Sequence, residues 1–276
     1  DYLTRNGIGV LRYDDRGVGA STGDFETATS AHFASDVKSA IAYLKTRKEV
    51  NSKKIGLIGH SEGGLIAPMV AGKSKDVAFI VLLAGPGIQG DQILLLQQKL
   101  IGKASGVSDE DLQKNEAINR KAFDIVNQSI NLVQLKADLT NYLHQSLTDH
   151  SSPEKPEGMS ADDFVALQVE QMATPWMQYF IKYNPAPALE KVQCPVLALI
   201  GEKDLQVPPK ENLKAIKEAL AKGGNTKGTV KELPNLNHLF QECETGSPFE
   251  YASIEQTISP TALSEIMNWI QTQTKR

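Results

Sequence analysis

Only two cysteines and two tryptophans stand among 276 residues. No apolar run approaches the roughly 18 residues needed to cross a bilayer, so no membrane span is expected. Two thiols, Cys194 and Cys243, cannot build a disulfide-rich scaffold or a cysteine-based zinc site, and both are expected to be free. Basic blocks are missing too. Lys and Arg number 29 against 33 Asp and Glu, a formal charge of −4, with no aromatic-basic interleaving. Nucleic acid is thereby excluded as an expected partner. No His/Cys/Asp cluster has ligand spacing, so no metal and no cofactor is expected. The first residue is Asp1, which leaves a signal peptide and the compartment open. What remains is ordinary: 41% apolar and 22% charged residues, enough to bury a substantial core.

Periodicity organises the chain. "IGVLRYD" (8–14), introduced by Asn6-Gly7, reads as a strand, followed by the glycine-rich loop "DRGVGASTGDF". Phe33, Val37, Ile41 and Leu44 then mark one face of a helix. "KIGLIG" (54–59) and "VAFIVLLAG" (77–85) read as buried strands on either side of the helical "LIAPMVAG". The order β, α, β, α, β with short connections predicts a parallel sheet covered on both faces by helices. Residues 88–187 contain no convincing strand and several helical patterns. Ser108 and Ser160, each with an aspartate three residues on, are predicted N-caps, and "SSPEKPEG" (151–158) separates two helices. This block is read as a helical insertion. Strands resume at "CPVLALIGEKD" (194–204) and "GTVKELP" (228–234). A last helix starts at Ser259-Pro260 and buries Leu263, Ile266, Met267 and Ile270.

The chemistry centres on "GHSEGG" (59–64), where a serine fenced by glycines follows a strand. That is the G-x-S-x-G pattern of a nucleophile elbow. A serine hydroxyl needs a base, and the base needs a carboxylate to fix its tautomer. In a parallel α/β sheet these groups gather at the carboxyl ends of strands. Asp204 ends one strand and His238 lies just past another, giving the chain order Ser61, Asp204, His238 expected of an α/β-hydrolase. His32 opens a surface-like helix, His144 and His150 lie in the insertion, and His60 should point away from the serine.

These stretches resemble the bacterial carboxylesterase-like group of α/β-hydrolases with a helical cap. "YDDRGVGAST" is similar to that group's D-x-R-G-x-G-x-S loop, "GHSEGG" to its elbow, "GEKDLQVPP" to its acid loop and "LNHLF" to its histidine loop. The resemblance implies a mostly parallel α/β-hydrolase sheet flanked by helices, its core formed by 1–87 and 188–276 and its cap by 88–187. It implies Ser61 as nucleophile, His238 as general base and then acid, and Asp204 as its orienter. The backbone N–H of Glu62 would be one oxyanion donor, aided by the helix dipole. The Glu62 carboxylate would anchor the elbow, while Asp15 and Arg16 are read as forming loop-bracing ion pairs in preference to contacting substrate. Gly85 and Gly87 would form the pocket floor. Trp176, in the aromatic stretch "TPWMQYFIKY", packs the cap and is the residue singled out as an acyl-pocket wall.

The reading that follows is a serine esterase cleaving small carboxylic esters through an acyl-enzyme. The rival is a serine aminopeptidase or prolyl peptidase, which would need an acidic cluster for the substrate amine; a catalytically silent binding module is a third reading. In the resembling group three strands precede the one matched by residues 8–14, and a loop after them supplies the second oxyanion N–H. The resemblance therefore implies an N-terminally incomplete core, with a homo-oligomer or a strand-sharing partner at the incomplete sheet.

Overall fold

The computed structural model describes residues 1–148 and 156–274. Residues 151–155 of the predicted linker, and His150, lie outside the described residues. In chain order the elements begin with the short helix α1 (Tyr2–Arg5), α2 (Ser30–Thr46), strand β1 (Gly56–His60), α3 (Glu62–Ala71) and β2 (Phe79–Leu83). Five helices follow: α4 (Gly90–Ala104), α5 (Asp109–Gln128), α6 (Leu132–Thr148), α7 (Ala161–Ala173) and α8 (Pro175–Lys182). The chain then continues through α9 (Ala186–Leu189), β3 (Val196–Gly201), α10 (Pro209–Lys222), β4 (Gly228–Leu233) and α11 (Pro260–Thr274). It divides into two compact units, Asp1–Ile88 with Asn184–Arg276, and Gln89–Tyr183.

The first unit is built on a four-stranded sheet in the order β1-β2-β3-β4, every pair parallel. β2 and β3 are buried along their whole length, as apolar runs covered on both faces must be. Their side chains alternate between faces. Phe79, Val81 and Leu83 with Leu197 and Leu199 join Ala262, Ile266, Trp269 and Ile270 of α11 in one core cluster. On α11 the buried stripe is therefore Ala262, Ile266, Trp269 and Ile270, while the predicted Leu263 and Met267 lie at its margins, half-buried. Phe79 meets Trp269 edge to face with centroids 5.9 Å apart.

One predicted strand is absent. Residues 8–14 carry the composition of a strand but are irregular, and Val10 (50%), Leu11 (42%) and Tyr13 (46%) are exposed. A strand exists only by pairing with another, and among the described residues β1 has β2 as its one neighbour. Residues 8–14 consequently take no place in the sheet.

The second unit is helical. Ser108 and Ser160 cap α5 and α7 as their spacing predicts, accepting from the amides of Asp111 and Asp163 at 3.1 and 3.0 Å. Leu95, Phe123, Leu135, Leu139, Val169 and Ile181 form its core with smaller neighbours.

Candidate active site

Strand β1 stops at His60 because the next residue turns out of the β region. Ser61 has φ 52 and ψ −116, a conformation that L residues rarely adopt and that stores on the order of 1–3 kcal/mol of strain. The turn is held from both sides: the Ser61 amide donates to the Leu83 carbonyl at 2.8 Å, and the Gly64 amide donates to the Ser61 carbonyl at 2.9 Å. Helix α3 starts at Glu62 and runs directly out of this turn. It can do so because two glycines remove side chains from the crossing. An added Cβ at Gly64 would lie 2.5 Å from the Cα of Gly85, and one at Gly59 would overlap the Gly63 carbonyl.

Asp204 lies three residues beyond β3 and His238 five beyond β4. The two side chains are buried, 0% and 5% exposed, with Asp204 Oδ2 2.8 Å from His238 Nδ1. Asp204 Oδ1 accepts from the amides of Gln206 and Val207 at 2.9 and 2.8 Å. Three donors thus fix one carboxylate. An ionised carboxylate only accepts, so the proton of a neutral His238 sits on Nδ1 and the Nε2 lone pair is left to act as a base.

The His238 loop is closed by a residue to which its sequence gives no obvious role. Asn237 is fully buried. Its Oδ1 accepts from the amides of Leu239 and Gln241 at 3.0 and 2.9 Å, and its Nδ2 donates to Gln241 Oε1 at 2.9 Å. Asparagine favours such side-chain-closed turns, which is the one signal in "NLNHLFQ" that points to it. His60, read from the sequence as pointing away from the serine, meets the histidine loop instead. Its Nε2 lies 2.8 Å from the His238 carbonyl oxygen, and the two rings are 4.7 Å apart.

The remaining predicted residues take clear places. The Glu62 carboxylate accepts from the buried Ser30 hydroxyl at 2.6 Å, tying the starts of α3 and α2 together. Arg16 braces its loop through Asp36 of α2, with bonds of 2.8 and 2.6 Å. Gly85 and Gly87 are buried in close packing, the first against Gly64 and the second against Asn212, whose Oδ1 accepts from the Gly87 amide at 2.8 Å. Trp176 belongs to the helical unit, where it stacks on Phe180 with centroids 5.1 Å apart. Among the described residues no group of three His, Cys, Asp or Glu comes together to hold a metal, and no helix is long and apolar enough to cross a membrane.

Comparison with known proteins agrees with this architecture. A family model described as "Serine aminopeptidase, S33" matches residues 1–244. Esterase EstD of Thermotoga maritima is 25% identical over 97% of this chain, which spans 54% of the length of that relative. The solved α/β hydrolase GrgF from Penicillium sp. sh18 is similar with a TM-score of 0.58 and 17% identity, covering 100% of this chain and 83% of that one. Est1E from Butyrivibrio proteoclasticus, solved with ferulic acid bound, has a TM-score of 0.54 and 15% identity over 100% of this chain and 81% of its own.

Proposed function

Because this chain belongs to the serine aminopeptidase S33 family of α/β hydrolases, we propose that it is a serine hydrolase acting on small carboxylic esters. The observation that carries this reading is the buried Asp204–His238 pair, at the same strand ends as a serine held at φ 52.

In this reading Ser61 Oγ attacks the ester carbonyl while His238 Nε2 takes its proton. The imidazolium that forms is held by the Asp204 carboxylate. Charge on the carbonyl oxygen is met by the Glu62 amide at the first position of α3, where the helix dipole adds to it. Collapse expels the alcohol, which takes the proton back from His238 and leaves an acyl ester on Ser61 Oγ. Water then attacks the acyl carbon with His238 again as base, releasing the carboxylic acid and free Ser61. The relative named an esterase supports ester chemistry.

The family description favours a second reading, cleavage of aminoacyl amides. That chemistry needs acidic groups to hold the substrate amine. One aspartate in each acidic stretch of the helical unit is engaged otherwise: Asp111 and Asp163 accept from Ser108 and Ser160 hydroxyls at 2.6 and 2.7 Å, in the first turns of their helices. With a relative named an esterase, ester hydrolysis is the preferred reading.

The test is hydrolysis of p-nitrophenyl esters of graded acyl length beside aminoacyl anilides, with a fluorophosphonate probe for serine reactivity. Turnover of the short esters and probe labelling are expected, both lost in Ser61→Ala. A Ser61→Ala protein that keeps more than a few per cent of turnover overturns the assignment. Faster anilide than ester cleavage selects the peptidase, and an unlabelled wild-type protein selects a silent binding module.

A further inference from the structure

His60 is the last residue of β1, and its neighbour Ser61 opens the elbow. Side chains alternate along a strand, so His60 shares a face with Ile58 and Gly56. At Gly56 the space is taken by the Phe79 ring. At His60 it is the loop after β4 that lies alongside. The His60 ring rests 4.7 Å from the His238 ring at 52° and meets Phe240 edge-on at 6.3 Å. A carbonyl oxygen can only accept, so the 2.8 Å contact with the His238 carbonyl requires the proton on His60 Nε2.

We propose that His60 is a positioning residue for the base: its Nε2–H grips the His238 backbone and fixes that loop in register with the strand bearing Ser61. The inference rests on the functional reading above. Asp204 holds the His238 ring, and nothing in that contact fixes the ring relative to the elbow. The loop itself closes without His60, through Asn237 and the Asn237 amide bond to the Gln241 carbonyl at 3.0 Å. What His60 adds is the link from loop to nucleophile.

The ring is also suited to remain neutral there. Partial desolvation of the ring against His238 and Phe240 lowers its pKa, although the residue as a whole stays exposed; the nearby His238 lowers it further, against the opposing pull of its hydrogen bond and of Asp204. A neutral neighbour does not oppose the positive charge that His238 acquires when it takes the serine proton.

Glutamine and methionine are similar in size and differ in the donor, so His60→Gln and His60→Met form the test pair. Steady-state kinetics with p-nitrophenyl acetate and thermal unfolding are measured on both, with Ser61→Ala in the same assay. The expected result is a kcat for His60→Met reduced roughly tenfold or more, with KM within about twofold and kcat largely recovered in His60→Gln. Fluorophosphonate labelling of His60→Met should slow by the same factor. Equal kcat in the two folded variants overturns the proposal. If the methionine protein does not fold, a glutamine protein with wild-type unfolding temperature and a tenfold loss of kcat overturns it as well. Turnover that survives Ser61→Ala defeats the functional reading itself. Serine-dependent turnover that is indifferent to the His60 donor defeats the inference about His60 alone.

Discussion

Gly59 and Gly63 approach so closely that a Cβ on the first would overlap the carbonyl oxygen of the second, whereas a Cβ on Gly63 would meet nothing within 4 Å. The two glycines of the elbow pattern are therefore unequal. Gly59 is needed so that strand and helix can cross, and the obstructing atom is backbone that cannot swing aside. Gly59→Ala is expected to cost roughly 1–3 kcal/mol, as overpacking does, and to lower turnover. Gly63→Ala, in the first turn of α3, is expected to change stability by less than about 0.5 kcal/mol. Urea unfolding of the two variants checks this. Equal destabilisation would contradict it.

Asn237 closes the loop that carries the base. Removing its side chain in Asn237→Ala leaves the amides of Leu239 and Gln241 and the Gln241 side chain without the partner they have now. Buried groups deprived of a partner cost about 1–3 kcal/mol each, part of which water can restore. The expected outcome is a loss of about 2–4 kcal/mol, with turnover falling further than that of a surface alanine variant. Chemical denaturation and ester hydrolysis measured together check it; an unchanged unfolding midpoint would refute it.

Legibility from the sequence followed the range of the interaction. β2 and β3 were readable because buried parallel strands are apolar runs, and the elbow because its glycines are local. Residues 8–14 failed for the opposite reason. Their composition suits a strand, but pairing is a property of two segments, and among the described residues no strand pairs with them. Arg16 braces its loop as expected, but its partner Asp36 lies 20 residues on, in a helix that only the fold brings alongside. On α11 the buried stripe is rotated toward Trp269, because a helix phase read from aliphatic residues alone ignored an aromatic one. Asn237 was missed since a buried asparagine and an exposed loop asparagine look alike until the loop closes. Asp204 and His238 were marked by position, and the 2.8 Å between them is a fact of the fold alone.

Acid should expose the cost of partly desolvating the His60 ring. Its pKa is lowered from the ordinary 6.5, first by burial and then by the neighbouring His238. Below 6.5 the unfolded chain takes up the proton before the folded chain does, so stability is lost as pH falls from there toward the depressed folded value. Above 6.5 the contribution is constant. His60→Gln lacks this term. The stability of the wild-type protein relative to His60→Gln should therefore decline between pH 7.5 and pH 5 in urea titrations. A difference independent of pH would show that the imidazole titrates alike in both states.

The last expectation concerns the proton on His238. Asp204 Oδ1 accepts two backbone amides and Oδ2 faces His238 Nδ1, all within 2.9 Å. In Asp204→Asn the amide oxygen must keep the two backbone donors, since turning the group round would set N–H against N–H. The amide nitrogen is then left facing Nδ1 and donates to it. His238 can answer only by accepting there, which moves its proton to Nε2, the atom that has to receive the serine proton. Geometry is preserved while the base is disabled. In other Ser-His-Asp sites such a change lowers kcat by about 10⁴-fold, and a loss of about 10³-fold or more is expected here, with the fold retained and fluorophosphonate labelling slowed in parallel. Hydrolysis of p-nitrophenyl acetate and the unfolding midpoint check both halves. An Asp204→Asn protein within tenfold of wild-type kcat would mean that another group orients His238, and a protein that unfolds would mean that the charge holds the loop rather than the tautomer.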